Sequence, residues 1–139
     1  MVDFYKYLYT VADIEQEKKQ YFLSFMRNEL SEEDRTMLSK PISKCEIYKS
    51  ITNLSLNKTP GIDGLPVEFY LENWDIIGED ILTLYGTILQ TGQLSESQKR
   101  GIISMLPKSN DTFYITNYRP LSLLCSDYKI LAKILAERI

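Results

Sequence analysis

The chain has 139 residues, 44% of them apolar and 25% charged, a composition that suits one small globular domain and excludes an extended disordered segment. It contains no histidine, which removes Ser-His-Asp and Cys-His catalysis, imidazole metal ligation and the usual proton shuttle together. Net charge is −3, but residues 1–98 carry 9 basic and 16 acidic side chains while residues 99–139 carry 7 and 3, so one end is suited to a polyanion.

In chain order, Phe4, Tyr5, Leu8, Tyr9, Val11 and Ile14, then Tyr21, Phe22, Phe25 and Met26, recur at spacings of three and four, which predicts two short amphipathic helices. The acidic run Ser31-Glu32-Glu33-Asp34 follows and reads as a solvated face that begins with a capping box. A stronger signal comes at Ile42-Ser43-Lys44-Cys45-Glu46-Ile47. Ser43 is placed as N-cap, Glu46 at N3 closes a capping box, and Ile42 meets Ile47 as a hydrophobic staple. A helix over 44–54 with Ile47, Tyr48, Ile51 and Leu54 on its apolar face is expected.

Thr59-Pro60-Gly61-Ile62-Asp63-Gly64 is turn chemistry, with proline fixing φ and glycine free to take positive φ. Pro66–Glu72 reads as a short helix started by proline. Ile76, Ile77, Ile81, Leu84, Tyr85 and Ile88 give a longer one that stops at Gly92. Ser95-Glu96-Ser97-Gln98 is a second capping box that opens one helical turn. The period then changes. Gly101–Leu106 and Tyr118–Leu124 are short β-like runs separated by the polar Ser109-Asn110-Asp111 stretch, which together predict a hairpin whose Pro120 lies near an edge. A closing helix from Ser126 presents Tyr128, Leu131, Ile134 and Leu135 on one face. The fold class is therefore α+β and predominantly helical.

No apolar stretch reaches the roughly 18 residues of a membrane helix, and the N-terminus has neither the basic nor the apolar region of a signal peptide. An intracellular protein, in cytoplasm or nucleus, is expected. Cys45 and Cys125 stand alone, so they read as two buried free thiols and not as a metal or disulfide framework. GxxxxGK[ST] is absent, which excludes a P-loop. Most of the ten tyrosines are assigned to packing, Tyr48, Phe69, Tyr85 and Tyr128 falling on apolar helix faces. Strand alternation sets Tyr118 opposite Arg119 as an anchor of the hairpin.

Two patches, Asn57-Lys58-Thr59-Pro60-Gly61-Ile62-Asp63-Gly64-Leu65-Pro66-Val67-Glu68-Phe69-Tyr70 and Asn117-Tyr118-Arg119-Pro120-Leu121-Ser122-Leu123-Leu124, follow each other in a recognisable order. Leu106-Pro107-Lys108 precedes the second and Asp127–Ile139 follows it. Over residues 43–139 this resembles the fingers of a non-LTR (LINE-type) retrotransposon reverse transcriptase, with residues 1–42 as a helical N-terminal extension. The resemblance implies a fingers subdomain truncated before the palm, contributing to RNA-templated DNA synthesis in the parent enzyme.

It further implies that Lys108 and Arg119 bind the incoming nucleotide, since a triphosphate needs fixed cations that do not titrate near neutrality. Lys58, Gly61, Asp63 and Gly64 are the implied template-binding residues; a turn capped by Asp63 is an equal reading of the same loop. RNA template, RNA/DNA hybrid and deoxynucleoside triphosphate are the implied partners, together with the missing palm and thumb, and no membrane. Mg²⁺ is implied for the parent alone, because polymerisation uses two ions held by aspartates and the adjacent acids here, Glu32-Glu33-Asp34 and Glu79-Asp80, read as solvated faces. No catalytic and no metal-binding residue is assigned, and no polymerase activity is expected of the chain alone. The alternatives are a domesticated, non-catalytic RNA-binding or protein-interaction module, and a degenerate open reading frame. The end of the chain within Ala136–Ile139, with no capping glycine, favours a fragment and predicts that the closing helix lacks a partner for its apolar face.

Overall fold

A computed structural model describes residues 2–10, 15–26, 30–108, 110 and 113–139. The element order is α1 (Val2–Leu8), α2 (Gln16–Leu23), α3 (Glu32–Ser39), α4 (Lys44–Thr52), α5 (Val67–Glu72), α6 (Trp74–Thr91), β1 (Ile102–Pro107), a 3-10 turn (Ile115–Asn117), β2 (Tyr118–Leu123) and α7 (Ser126–Arg138). The fold is α+β and predominantly helical. It divides into two compact units, Met1–Arg35 and Thr36–Ile139.

In the first unit, the two aromatic helices are present as α1 and α2. Val11 and Ile14, assigned to their apolar faces, lie outside the described residues. The amphipathic expectation for α2 is corrected, since none of its side chains is buried and Tyr21, Phe22 and Leu23 are all more than half exposed. The acidic run opens α3, where Ser31 Oγ accepts the Asp34 N–H at 3.1 Å and so satisfies one of the free amides of the first turn.

The second unit holds the core. Its first helix starts where its caps dictate: Glu46 N–H donates to Ser43 Oγ and Ser43 N–H to Glu46 Oε2, a closed capping box. Ile42 and Ile47, the two halves of the staple, are both in the core. Asn73 separates α5 from α6 by leaving helical geometry and sending its Nδ2–H to the Phe69 carbonyl. Gly92, at φ +67°, ends α6 with its N–H on the Ile88 carbonyl, as a left-handed cap requires. The core is then Ile47 and Ile51 of α4, Val67 and Tyr70 of α5, Tyr85 and Ile88 of α6, and Ile130, Leu131 and Ile134 of α7.

Several assignments to that core are corrected. Tyr48 and Ile76 are 45% and 78% exposed; Tyr48 instead lies beside the Trp74 ring, centroids 5.6 Å apart. Cys45 is exposed and only Cys125 is buried. On α7 the buried stripe runs through Ile130, Leu131 and Ile134, while Leu135 is 38% exposed. The stripe rotates because the helix docks against α4, and of the face expected to lack a partner Leu131 and Ile134 are packed inside this unit while Leu135 is not. The Ser95–Gln98 box forms both of its bonds and opens the single turn expected of it.

Arg138 ties the far end of α7 down. Its Nε and Nη2 donate to the two Glu46 carboxylate oxygens at 2.7 and 2.8 Å, and its Nη1 and Nη2 reach the carbonyls of Leu38, Lys40 and Pro41. A planar guanidinium can fill this many acceptors at once.

Two outcomes are expected in chemical unfolding followed by Trp74 fluorescence. A Cβ on Gly61 would stand 2.4 Å from the Cys125 backbone nitrogen, whereas one on Gly86 would meet nothing within 4 Å. Gly61→Ala should therefore cost about 1–3 kcal/mol or more, and Gly86→Ala, within α6, should stabilise by about 0.5–1 kcal/mol. The second outcome concerns pH. Hydrogen bonding to Arg138 is the largest influence on the Glu46 carboxyl and holds it below its ordinary value of 4.5. An acid depressed on folding contributes stability above its unfolded pKa, and that contribution fades as pH falls through the folded value. Arg138→Gln should lower stability at neutral pH by about 1.5–3 kcal/mol and flatten the loss of stability below pH 4.5.

Candidate nucleic-acid interface

β1 and β2 pair antiparallel, with Met105 opposite Pro120, Leu106 opposite Arg119 and Pro107 opposite Tyr118. Beyond the last of these, Lys108 N–H donates to the Asn117 carbonyl at 2.7 Å. Bonded and non-bonded pairs alternate along such a ladder. The Leu106–Arg119 pair is therefore a bonded one, and Pro107 and Pro120 fall at non-bonded pairs, where a missing N–H costs nothing. This is why a hairpin with a proline in each strand forms.

The same register carries a functional consequence. Lys108 and Arg119 occupy diagonal positions on one face of the hairpin, residues that lie about 7–8 Å apart in such a ladder, and both are exposed. Lys108 is positioned further by its Nζ, which donates to the Thr116 carbonyl at 2.8 Å. Tyr118, on the opposite face, is half-buried where Arg119 is exposed, as alternation requires.

The motif loop is stitched to the base of this hairpin. Gly61 is buried, its α-carbon against the Leu124–Cys125 peptide so closely that a Cβ would stand 2.4–2.7 Å from three backbone atoms. Gly64 takes φ +72° and donates its N–H to the Gly61 carbonyl, closing a turn. Asp63 Oδ1 accepts the Leu65 N–H at 3.2 Å, and Ser126 Oγ donates to the Leu65 carbonyl at 2.7 Å. Lys129 Nζ reaches the Thr59 carbonyl at 3.4 Å, and the Glu68 carboxylate accepts the Asn57 N–H, a bond that draws the Glu68 carboxyl below its ordinary value. Lys58, Gly61, Asp63 and Gly64 thus share one loop. Among them Lys58 presents an exposed cation; the two glycines and Asp63 shape the backbone.

Behind the loop lies a polar knot that sequence reasoning missed. Asp127, in the first turn of α7, accepts from Gln98 Nε2 at 2.7 Å through Oδ2 and from the Tyr128 N–H at 2.7 Å through Oδ1. Its backbone carbonyl accepts the Tyr85 hydroxyl at 2.7 Å. Gln98 is 3% exposed. Burial first, and the Asp127 charge second, push the phenols of Tyr70 and Tyr85 far above the usual tyrosine range. The Ser95–Gln98 capping box was a readable signal for Gln98; its long-range partner was not.

Asp63, Cys125 and Asp127 bring one ligand atom each within 4.8 Å of one another. This set does not fit magnesium, which takes oxygen ligands in a near-ideal octahedron. One of the three groups is a thiol whose pKa burial raises. Both Asp127 oxygens and one Asp63 oxygen already accept hydrogen bonds. Among the described residues no other group of three such side chains comes as close, and no helix is long and apolar enough to cross a membrane.

No family model matches the chain. It is 38% identical over 110 residues to the Transposon TX1 uncharacterized 149 kDa protein of Xenopus laevis, a match that spans 79% of this chain and 8% of that relative. The chain is thus similar to a short segment of a much longer transposon-encoded protein, which supports a transposon origin.

The burial difference between the two thiols gives a direct check. Cys45 is exposed; Cys125 is 1% exposed, with its thiol pKa raised by burial. Only the thiolate reacts rapidly. A chromogenic disulfide reagent should consume one thiol quickly in the native chain and the second only on unfolding, and Cys45→Ser should abolish the fast phase.

Proposed function

We propose that the chain is a segment of a non-LTR retrotransposon's RNA-directed DNA polymerase that faces the incoming nucleotide and the template, and that it does not polymerise by itself. The observation that carries this reading is the hairpin register, with Lys108 and Arg119 exposed on one face at diagonal positions. Two fixed cations at that spacing suit a triphosphate, the arginine offering a planar fork and the lysine a point charge. Lys58 is a further exposed cation on the motif loop, which the Gly61 contact holds against the base of the hairpin. Similarity to a segment of a transposon-encoded protein supports the same reading. RNA template, RNA/DNA hybrid and deoxynucleoside triphosphate are the partners proposed for the whole enzyme, with Mg²⁺ held outside the residues described here.

A second reading, a non-catalytic RNA-binding or protein-interaction module, is favoured by one observation: α7 buries its apolar stripe against α4 within Thr36–Ile139. Both readings use the basic hairpin; they differ in whether it serves chemistry.

The decisive experiment grafts residues 36–139 into an otherwise intact related polymerase. Arg119→Ala should mainly raise KM for the deoxynucleotide, because a charge-assisted phosphate contact is worth about 1.5–3 kcal/mol, roughly ten- to a hundredfold. Lys108→Ala should act in the same direction, while the isolated chain incorporates nothing on a primed template. Unchanged KM and kcat in both variants would reduce Lys108 and Arg119 to surface cations.

A further inference from the structure

The loop of the hairpin carries an aromatic pair that the nucleotide contacts do not use. Phe113 and Tyr114 are 85% and 60% exposed, and their rings meet edge to face, centroids 5.1 Å apart and planes at 79°. Large aromatic side chains at this exposure present flat apolar area to whatever approaches. The Tyr114 backbone is tied from the strand side: Asn117 N–H donates to the Tyr114 carbonyl at 3.0 Å, and Lys108 holds the adjoining Thr116 and Asn117 carbonyls through its Nζ and N–H. Ordering Tyr114 before a partner arrives reduces the entropy lost on binding.

We infer that Phe113 and Tyr114 form a stacking platform for unpaired bases of a single-stranded nucleic acid drawn to the basic hairpin. Charge selects this occupant over an apolar protein surface. The platform rises from the stretch of chain where basic residues outnumber acidic ones 7 to 3, and Lys108 and Arg119 of that stretch are exposed. Aromatic faces beside fixed cations are the combination that grips single strands without reading their sequence, whereas a duplex keeps its bases stacked on one another and offers the rings nothing. The inference deepens the reading of the hairpin as a polyanion-facing element and rests on it.

Fluorescence anisotropy on the full chain tests it, with labelled oligouridine, oligothymidine and a blunt RNA duplex of equal length as probes. A Phe113→Leu, Tyr114→Leu double variant should weaken binding to both single strands about tenfold or more and leave duplex binding unchanged. Tyr114→Trp should retain single-strand affinity, and an unaltered Trp74 emission in the leucine variant verifies its fold. Lys108→Ala with Arg119→Ala should weaken binding to all three probes and lower the salt slope on single strands by about 1.4. If the aromatic variant binds single strands as the parent does, the stacking inference is overturned and the cationic hairpin stands. A change in its sedimentation without a change in RNA binding overturns it in favour of a protein contact. Should the chain bind no probe at low salt, or should neither variant alter binding, the platform and the polyanion-facing hairpin fall together.

Discussion

The structure of Thr36–Ile139 depends on one close approach of backbone to backbone. Where Gly61 meets the Leu124–Cys125 peptide there is no room for a single carbon more, and the motif loop is set against the base of the hairpin at that point. On one side the motif loop runs into α5, whose Val67 and Tyr70 enter the core. On the other, Leu124 and Cys125 link β2 to α7. The Ser126–Leu65 hydrogen bond and the Lys129–Thr59 contact reinforce the junction at both ends of the loop. Glycine is dictated at position 61 by space, and at position 64 by backbone conformation.

Polar groups buried beside that junction add direction to it. Hydrophobic packing of Ile47, Ile51, Ile130 and Ile134 fixes how deeply α4 and α7 approach, but apolar contacts tolerate sliding and rotation. Gln98 against Asp127, and Tyr85 against the Asp127 carbonyl, do not. Each of these partners, if withdrawn, leaves a buried donor or acceptor unsatisfied, at a cost of about 1–3 kcal/mol. The lone turn at Ser95–Gln98 is thereby made an anchor for the start of α7, and the base of the hairpin is held between two fixed points. At the opposite end of α7, Arg138 performs a comparable task for the segment preceding α4.

Local chemistry was readable where a short-range rule governed it. The Ser43–Glu46 box, the Gly92 cap, the proline entry to α5 and the change of period at Gly101 each depend on residues a few positions apart, and each element appears where those residues place it. The same holds for the two exposed cations of the hairpin, since alternation along a strand places Arg119 opposite Tyr118 without reference to the rest of the fold. Errors arose wherever the outcome depended on what a surface meets. Periodicity predicts a stripe on α7 through Tyr128 and Leu135, but docking on α4 rotates it to Ile130; Tyr48, Ile76 and Cys45, interior by sequence pattern, lie outside.

What the sequence determined by itself, then, is the order and type of the elements from α4 onward, the turn chemistry of the motif loop and the cationic character of the hairpin, because capping, φ preference and strand alternation act over a few residues. Tertiary structure alone decided that Gly61 faces the Leu124–Cys125 peptide, that Gln98 and Tyr85 converge on Asp127, and that Lys108 and Arg119 are diagonal neighbours on one face. Each of these joins positions whose separation in the chain obeys no local rule. They are fixed by which surfaces can be buried together without leaving a polar group unpaired or a backbone overlapped.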